Sequence, residues 1–393
     1  MVLAGGPRRL LILDDAWTKE QLDAFLAAGN CVRLVTTRVP SLTDDAIKVR
    51  VGPMTDEQAR ALLLHGFPPL PPAVAAALLK KTGRWPLLLR LVNGILAEAK
   101  LRPIAAAAED LLGRLRRGGA LQVDQLTEWA GQQLDVSDPD QRQRAVRATI
   151  QASTGRLSMA DHDRFAELAV FAEDETIPIT LITALWQATG GLDRMATGAL
   201  CARLANLALL TQVPGGDDGA IIVHDVIRDY LLGCIDSARL AGLHGTLLDT
   251  VADNLPRSAA VGGEGEVTAW WQLSGQDRYL RDHLIWHFLS AGRPRDAETA
   301  ATDLRWAAAR LDHDGPAAPS GDLALIDNQR ARRLRRLLGQ NAHLLAPTDP
   351  PHSLTDILCS RASRDPDWAP QASAMARGCS GLPALAAHGR CRT

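Results

Sequence analysis

The pattern of hydrophobic and polar positions opens with four consecutive aliphatic residues, 10–13, followed directly by Asp14 and Asp15. An unbroken apolar run of this length is typical of a strand buried on both faces, as in a parallel sheet. Ligands of such sheets bind at the carboxyl ends of the strands, where these two aspartates stand. Paired carboxylates there suit a magnesium–nucleotide site, in which one holds Mg²⁺ and the other orients water. A buried strand running into an Asp-rich turn is the plain alternative.

Strands and helices alternate up to about residue 70. Thr18 opens a capping-box pattern that predicts a helix ending near residue 29, and Thr55 opens a second one. Residues 32–38 predict a second strand, and residues 47–51, in which apolar and basic side chains alternate, predict an edge strand. This rhythm is that of the last part of a doubly wound α/β domain.

Beyond residue 70 the periodicity is helical. Predicted helices between residues 159 and 209 are followed by two short apolar strands around a Pro-Gly-Gly turn, the order of a winged helix. Glycine-rich residues 262–265 and Pro/Gly-rich residues 314–321 predict two joints. We therefore predict an α/β fold followed by mostly α structure, in five segments: an α/β segment 1–70, a helical domain 71–155, a winged helix 156–240, a helical domain 241–345 and a disordered tail 346–393.

Composition narrows the class of protein. The 393 residues are 46% hydrophobic and 22% charged, with a formal net charge of −2, so no bulk field attracts nucleic acid or anionic membrane. No signal-peptide pattern and no apolar run of transmembrane length is present. Six cysteines without C-x-x-C spacing are typical of reduced thiols. We expect a cytoplasmic protein.

Five short motifs then occur in a fixed order, and together they resemble the NB-ARC (AP-ATPase) family of signal-transduction ATPases. This family includes apoptotic-protease-activating factors and plant disease-resistance proteins. The motifs are a Walker B strand at 10–15, a sensor strand at 35–38, Val-Gly-Pro-Met at 51–54, a Gly-x-Pro-Leu-like motif at 83–87 and a Met-His-Asp-like motif at 223–225.

The resemblance implies a role for five residues. Asp14 would hold Mg²⁺, Asp15 would orient the attacking water, and Arg38 would read the terminal phosphate. Pro86 would lie against adenine, and His224 would contact the β-phosphate of ADP. The function implied is an ADP/ATP switch that controls oligomerisation through self-association of the NB-ARC module. The fold implied is a partial P-loop NTPase sheet followed by helical and winged-helix domains.

Three departures from the family pattern leave the ATPase activity open. No G-x-x-x-x-G-K-S/T loop occurs, and Gly5-Gly6-Pro7-Arg8 is too short to replace it. Gly83 stands one residue too far from Pro86, and Val223 replaces the family's methionine. We expect the chain to lack ATPase activity alone and to be part of a longer protein. An NB-ARC-containing transcriptional regulator and a truncated, non-catalytic scaffold are the alternative functions.

Two other clusters have plain alternatives. His283 and His287 stand four residues apart on one predicted helix, a spacing that suits metal binding, although packing without metal is the simpler interpretation. The arginine run 330–336 suits either a solvated helix face or nucleic-acid contact, and we favour the solvated face.

The predicted winged helix has few basic side chains that could contact DNA. Its candidate recognition helix carries only Arg194 and Arg203, whereas Asp217 and Asp218 at the turn would repel phosphates. We therefore expect no DNA contact through this domain.

Overall fold

The fold begins with a parallel pair of strands, β1 (Arg9–Leu13) and β2 (Cys31–Val35), with the short helix α1 (Lys19–Asp23) between them in the chain. Leu10 pairs with Val32, and Ile12 pairs with Leu34. The structure is a computed structural model, and it describes residues 9–14, 16, 18–23, 25, 31–37, 39, 42, 46–49, 51, 54–99, 103–117, 139–216, 218–260, 265–275, 277–345 and 353–378.

One face of this strand pair is open to solvent. Leu10 is 61% exposed, Ile12 58% and Leu34 52%. The expectation of a first strand buried on both faces is therefore wrong in this structure. The expected edge strand at 47–51 is not formed by its described residues either, and Ile47 is 97% exposed. Both differences have one physical reason, because no layer formed by the described residues covers the apolar side chains of either segment.

The second unit starts at Met54 and begins with a small helical core. Thr55 caps its first helix in the predicted box, since the Gln58 amide donates to the Thr55 hydroxyl at 3.2 Å and the Thr55 amide donates to the Gln58 side chain at 3.0 Å. This helix packs with the next three, although the sequence pattern assigns it to the α/β segment. The four helices are α2 (Asp56–Leu63), α3 (Pro72–Thr82), α4 (Pro86–Glu98) and α5 (Ile104–Arg117).

A second core surrounds the fully buried side chains of Phe165, Phe171 and Trp186. A three-stranded antiparallel sheet, in the order β3-β5-β4, closes one side of it. The predicted hairpin corresponds to β4 and β5, whereas the sequence pattern does not predict β3. The elements are α6 (Pro139–Thr154), α7 (Met159–Glu167), β3 (Ile177–Pro178), α8 (Ile179–Gly190), α9 (Arg194–Asn206), β4 (Thr211–Val213), β5 (Ala220–Ile222) and α10 (Asp225–Leu232).

A third core contains the C-terminal helices and the fully buried Trp306 and Trp368. It consists of α11 (Ser237–Ala252), a hairpin of β6 (Arg257–Ala259) and β7 (Glu266–Thr268), α12 (Arg278–Ser290), α13 (Pro294–Ala301), α14 (Leu304–Asp314), α15 (Ala318–Ala324), α16 (Gln329–Gln340), α17 (Leu354–Ala362) and α18 (Ala369–Gly378).

Two expectations for this region are corrected. Residues 354–378 are not a disordered tail, because they form α17 and α18. Leu358 of α17 and Trp368, which directly precedes α18, are buried in the third core. The expected joint at 314–321 includes the start of α15, where Pro319 is buried. Residues 346–352 and 379–393 of the expected tail, and residues 262–264 of the other expected joint, lie outside the described residues.

The coarse fold class is confirmed. The described chain is mostly helical with small sheets, consistent with an α/β segment followed by helices. None of the described helices combines the length and hydrophobicity that a membrane span requires.

Candidate nucleotide site

Asp14 lies where β1 ends, next to the end of β2. Its carboxylate accepts a hydrogen bond from the hydroxyl of Thr36, the residue that follows β2. Two backbone bonds fix this junction, since the Thr36 amide donates to the Leu13 carbonyl at 2.9 Å and the Ala16 amide donates to the Thr36 carbonyl at 2.9 Å. The side chain of Asp14 is exposed. An oxygen-rich, solvent-accessible position therefore stands at the carboxyl ends of two parallel strands.

This junction fits a magnesium ion that is shared with a phosphate. Carboxylate and hydroxyl oxygens are the ligand types that Mg²⁺ prefers, and Mg²⁺ is usually held by one or two carboxylates together with substrate phosphates and water. Among the residues that the structure describes, no group of three or more His, Cys, Asp or Glu side chains could hold a metal by itself. Asp15 and Arg38, predicted to act beside Asp14, lie outside the described residues.

Pro86 lies in the second unit, at the first position of α4. Helix α3 ends at Gly83, which has a left-handed backbone (φ 56°), and Arg84 is left-handed as well (φ 57°). The Arg84 guanidinium is held by Asp56 at 2.8 Å. Pro86 thus starts a helix, and its ring is exposed. An exposed apolar ring at a helix start is also open to a flat ligand.

His224 is the residue that caps α10. Its carbonyl accepts from the amides of Ile227 at 2.9 Å and Arg228 at 3.0 Å, and its side chain is 54% exposed. The ring nitrogen Nδ1 lies against the carboxylate of Asp225, and the Val226 amide reaches that carboxylate at 2.6 Å and Nδ1 at 3.3 Å. Nδ1 cannot both donate to the carboxylate and accept from the amide. Nδ1 accepts from the Val226 amide, which is the contact by which the His224 side chain caps the helix.

This assignment leaves the second ring nitrogen of His224 open. Nε2 makes no hydrogen bond to any residue in the described part of the chain. An imidazole that accepts at Nδ1 carries its proton on Nε2 and can donate it to a phosphate oxygen. His224 is therefore placed to serve either as a helix cap or as a phosphate contact.

The elements that carry Pro86 and His224 share one hydrophobic core. Leu88 and Leu91 of α4 are buried in the second core, and so are Val223, just before α10, and Ile227 of α10. At Gly94 helix α4 approaches α9 so closely that an added Cβ would lie 2.5 Å from the carbonyl oxygen of Asn206. The structure thus ties these two predicted site residues to one packed core, whereas Asp14 belongs to the other unit.

The histidines weighed as metal ligands are packed instead. His287 is fully buried, and its Nδ1 lies 2.8 Å from Nδ1 of His244, a residue that sequence spacing did not connect with it. His283 lies 3.7 Å from the carboxylate of Glu175. Because His244 is 43 residues away in the chain, only the fold could identify it as the partner of His287.

The comparisons with known proteins agree with the resemblance. No family model matches the sequence. The chain is 28% identical to disease resistance protein ADR1 of Arabidopsis thaliana over 242 residues, which cover 57% of this chain and 28% of that protein. It is 21% identical to apoptotic protease-activating factor 1 of Rattus norvegicus over 382 residues, 91% of this chain and 27% of that protein. The chain spans less than a third of the length of these relatives.

The protein consists of a small α/β unit followed by a mostly helical part. The α/β unit has a parallel strand pair with an aspartate at its carboxyl edge. Homology to plant disease resistance proteins and to apoptotic protease-activating factor 1 then specifies the group. This homology, at modest identity over much of the chain, supports an NB-ARC-like family.

Proposed function

We propose that this chain acts as an ADP/ATP-dependent switch in signal transduction and controls the oligomerisation of a larger cytoplasmic protein. The observation that carries the proposal is the Asp14–Thr36 junction at the carboxyl ends of two parallel strands, the position at which α/β sheets bind nucleotides. Homology to two groups of signalling proteins supports the same function.

At this junction Asp14 would hold Mg²⁺ against the nucleotide phosphates. The ion supplies charge stabilisation to the phosphates when bound. Asp15 would orient water, and Arg38 would read the γ-phosphate, which is the division of roles that the NB-ARC resemblance implies. Hydrolysis itself depends on positioning, so the missing G-x-x-x-x-G-K-S/T loop favours a chain that binds nucleotide without fast turnover.

The second unit would supply the contacts that distinguish ADP from ATP. We assign residues 156–240 to a winged-helix domain, residues 71–155 to the helical domain before it and residues 241–345 to the helical domain after it. Pro86 would lie against adenine, and Nε2 of His224 would donate to the β-phosphate of ADP and stabilise a closed form. Exchange for ATP would release this contact and allow the module to self-associate.

The transcriptional alternative gains no support from the helix that would face DNA. Arg194 is paired with Asp218, and Arg203 is bound to Asp161 at 3.0 Å and to Glu98 at 3.5 Å. Cations that are already paired within the protein are poorly placed to neutralise phosphates. The switch therefore remains the leading function.

The test is a titration of the full chain with a fluorescent ADP analogue, in Mg²⁺ and in EDTA. We expect saturable binding that tightens with Mg²⁺, and Asp14→Asn should weaken binding in Mg²⁺ by at least tenfold while leaving affinity in EDTA unchanged. Asp312→Asn, which removes an exposed carboxylate elsewhere, is the matched control. Absence of saturable binding, or the same Mg²⁺ dependence in Asp14→Asn as in the native chain, would contradict the proposal.

A further inference from the structure

A groove rich in arginine lies between α16 and α17, in the C-terminal core. Its volume is about 470 Å³, within the range of roughly 300–1,000 Å³ that ligand pockets occupy. Both helices contribute charged side chains, and the groove is lined by Arg333, Arg336, Gln340, Arg361, Arg364 and Asp365. None of these residues has a place in the nucleotide site proposed above.

One of the four arginines is neutralised within the protein. Arg333 donates to Asp365 at 3.0 and 3.1 Å and lies 2.7 Å from Asp367. These contacts connect α16 to the segment that follows α17. Arg333 and its two carboxylates thus form a structural ion pair that holds the walls of the groove together.

The other three arginines of the groove differ from Arg333. Arg336, Arg361 and Arg364 form no ion pair with any residue that the structure describes. Other arginines of α16 are engaged, since Arg332 pairs with Asp327 and Arg330 lies 5.7 Å from the ring centre of Trp368. Three like charges that converge from two sides of one groove repel each other, and an anion between them removes that repulsion.

We propose that this groove binds a small anion with several linked phosphate groups. Guanidinium groups hold phosphate oxygens in pairs of parallel hydrogen bonds, and they stay charged at every physiological pH. Arginines on facing walls suit an anion that presents oxygens in several directions, and a chain of two or three phosphates does so better than a single tetrahedral ion. The amide of Gln340 adds a neutral donor beside them.

The experiment is calorimetric titration of the full chain with inorganic tripolyphosphate, in EDTA and at constant ionic strength. EDTA removes Mg²⁺, so the carboxylate of Asp14 cannot contribute through a shared ion. We expect one saturable site that weakens as salt is raised, because salt screens exposed charges. The double variant Arg336→Gln/Arg364→Gln should bind at least tenfold more weakly. Arg335→Gln, an exposed arginine of the same helix outside the groove, should bind as the native chain does.

Two further arms separate binding in this groove from binding at Asp14 and from nucleic-acid binding. Asp14→Asn should bind tripolyphosphate normally, so failure of the nucleotide proposal would leave this result unchanged. A single-stranded oligonucleotide of matched charge should compete weakly. The proposal is overturned if no saturable binding occurs, if the double variant and Arg335→Gln lose affinity equally, or if the oligonucleotide binds through these arginines while tripolyphosphate does not. Circular dichroism of each variant shows whether the helices are retained, and a variant that has lost them is replaced by Arg361→Gln, expected to show the same tenfold loss.

Discussion

His244 and His287 face each other inside the protein, with their Nδ1 atoms 2.8 Å apart. Helix α11 carries the first and α12 the second, and both side chains are buried. The chain of polar contacts continues to Tyr279, whose hydroxyl lies 3.3 Å from Nε2 of His287 and accepts from the amide of Ala172 at 2.9 Å. The pair therefore connects the second core with the C-terminal helices.

This geometry requires at least one of the two histidines to be neutral. One Nδ1 must donate and the other must accept, which two imidazolium rings cannot do. The simplest assignment lets the Tyr279 hydroxyl donate to Nε2 of His287, whose Nδ1–H then donates to His244. Burial, assisted by the positive charge of Arg228, lowers the pKa of His244 to about 4. Burial also holds the pKa of His287 well below its usual value.

The first prediction concerns stability in acid. A histidine whose pKa is lower in the folded state than in the unfolded state contributes its full stability above pH 6.5, and loses it as the pH falls toward 4. Because one pKa unit corresponds to about 1.4 kcal/mol, the loss from His244 reaches about 3 kcal/mol near pH 4. Urea unfolding at pH 7.5, 6 and 5 should show the free energy of unfolding falling over this range.

The variant His244→Gln tests the origin of that fall. Glutamine cannot titrate, and its carbonyl can still accept from His287, so the fall between pH 7.5 and 5 should become shallower. His313→Gln removes an exposed histidine and should leave the slope unchanged. If the free energy of unfolding falls with pH equally steeply in the native chain and in His244→Gln, the buried pair does not cause the loss of stability in acid.

The second prediction concerns the contact between α4 and α9. Gly94→Ala would place a Cβ 2.5 Å from the carbonyl oxygen of Asn206 and 2.8 Å from the carbonyl carbon of Leu207. Overpacking of this kind costs about 1–3 kcal/mol, which exceeds the gain of about 1 kcal/mol from helix propensity. We expect a lower melting temperature and weaker attachment of α4 to the second core.

Gly198→Ala is the matched control, because it lies in helix α9 and its added Cβ meets nothing within 4 Å. This variant should be more stable than the native chain by about 0.5–1 kcal/mol. The melting temperatures of the two variants, measured by scanning calorimetry, should therefore shift in opposite directions from that of the native chain. If Gly94→Ala is more stable than the native chain, α4 and α9 can move apart without loss of stability, and the prediction is wrong.

The third prediction concerns the open face of the strand pair. Leu10, Ile12, Val32 and Leu34 are exposed, and the register places them on one face as two cross-strand pairs. Contiguous exposed apolar surface favours association. Threonine is polar but is favoured in strands. The variant Ile12→Thr/Leu34→Thr should therefore keep the strand pair and reduce self-association at high concentration. Light scattering across a concentration series measures this effect.

Ile47→Thr is the control for that experiment, because Ile47 is equally apolar and 97% exposed but lies outside the strand pair. An equal reduction in both variants would assign the association to general surface hydrophobicity. No reduction in either would remove the open face as its cause.

Local signals explain which elements could be predicted. The capping box of Thr55 and the turn between β4 and β5 depend on neighbouring residues, and both stand where the sequence placed them. Helices α17 and α18 could not be predicted because their periodicity is weak. Their few anchoring side chains, such as Leu358 and Ala372, become a buried face only when the third core supplies a surface.

In the candidate site, too, some residues could be predicted from local motifs and others only from the fold. Asp14 and His224 could be proposed from short motifs, since each follows a strand and precedes a turn or helix. The hydroxyl of Thr36 at Asp14 required the pairing of β1 with β2. The arginines of the groove required the fold to bring α16 and α17 to the same groove, and no local pattern records that arrangement.

The last prediction distinguishes the two roles open to His224. If Nε2 donates to the β-phosphate of ADP, His224→Ala removes a charge-assisted hydrogen bond worth about 1.5–3 kcal/mol. Release of a fluorescent ADP analogue, followed by stopped flow, should then be about ten to a hundred times faster. His224→Asn keeps a side chain that caps a helix well, so α10 should remain stable while ADP release is still fast. His313→Ala should change neither quantity. If His224 is only a helix cap, His224→Ala should lower the melting temperature, His224→Asn should restore it, and all variants should release ADP at the native rate, which would exclude the switch contact.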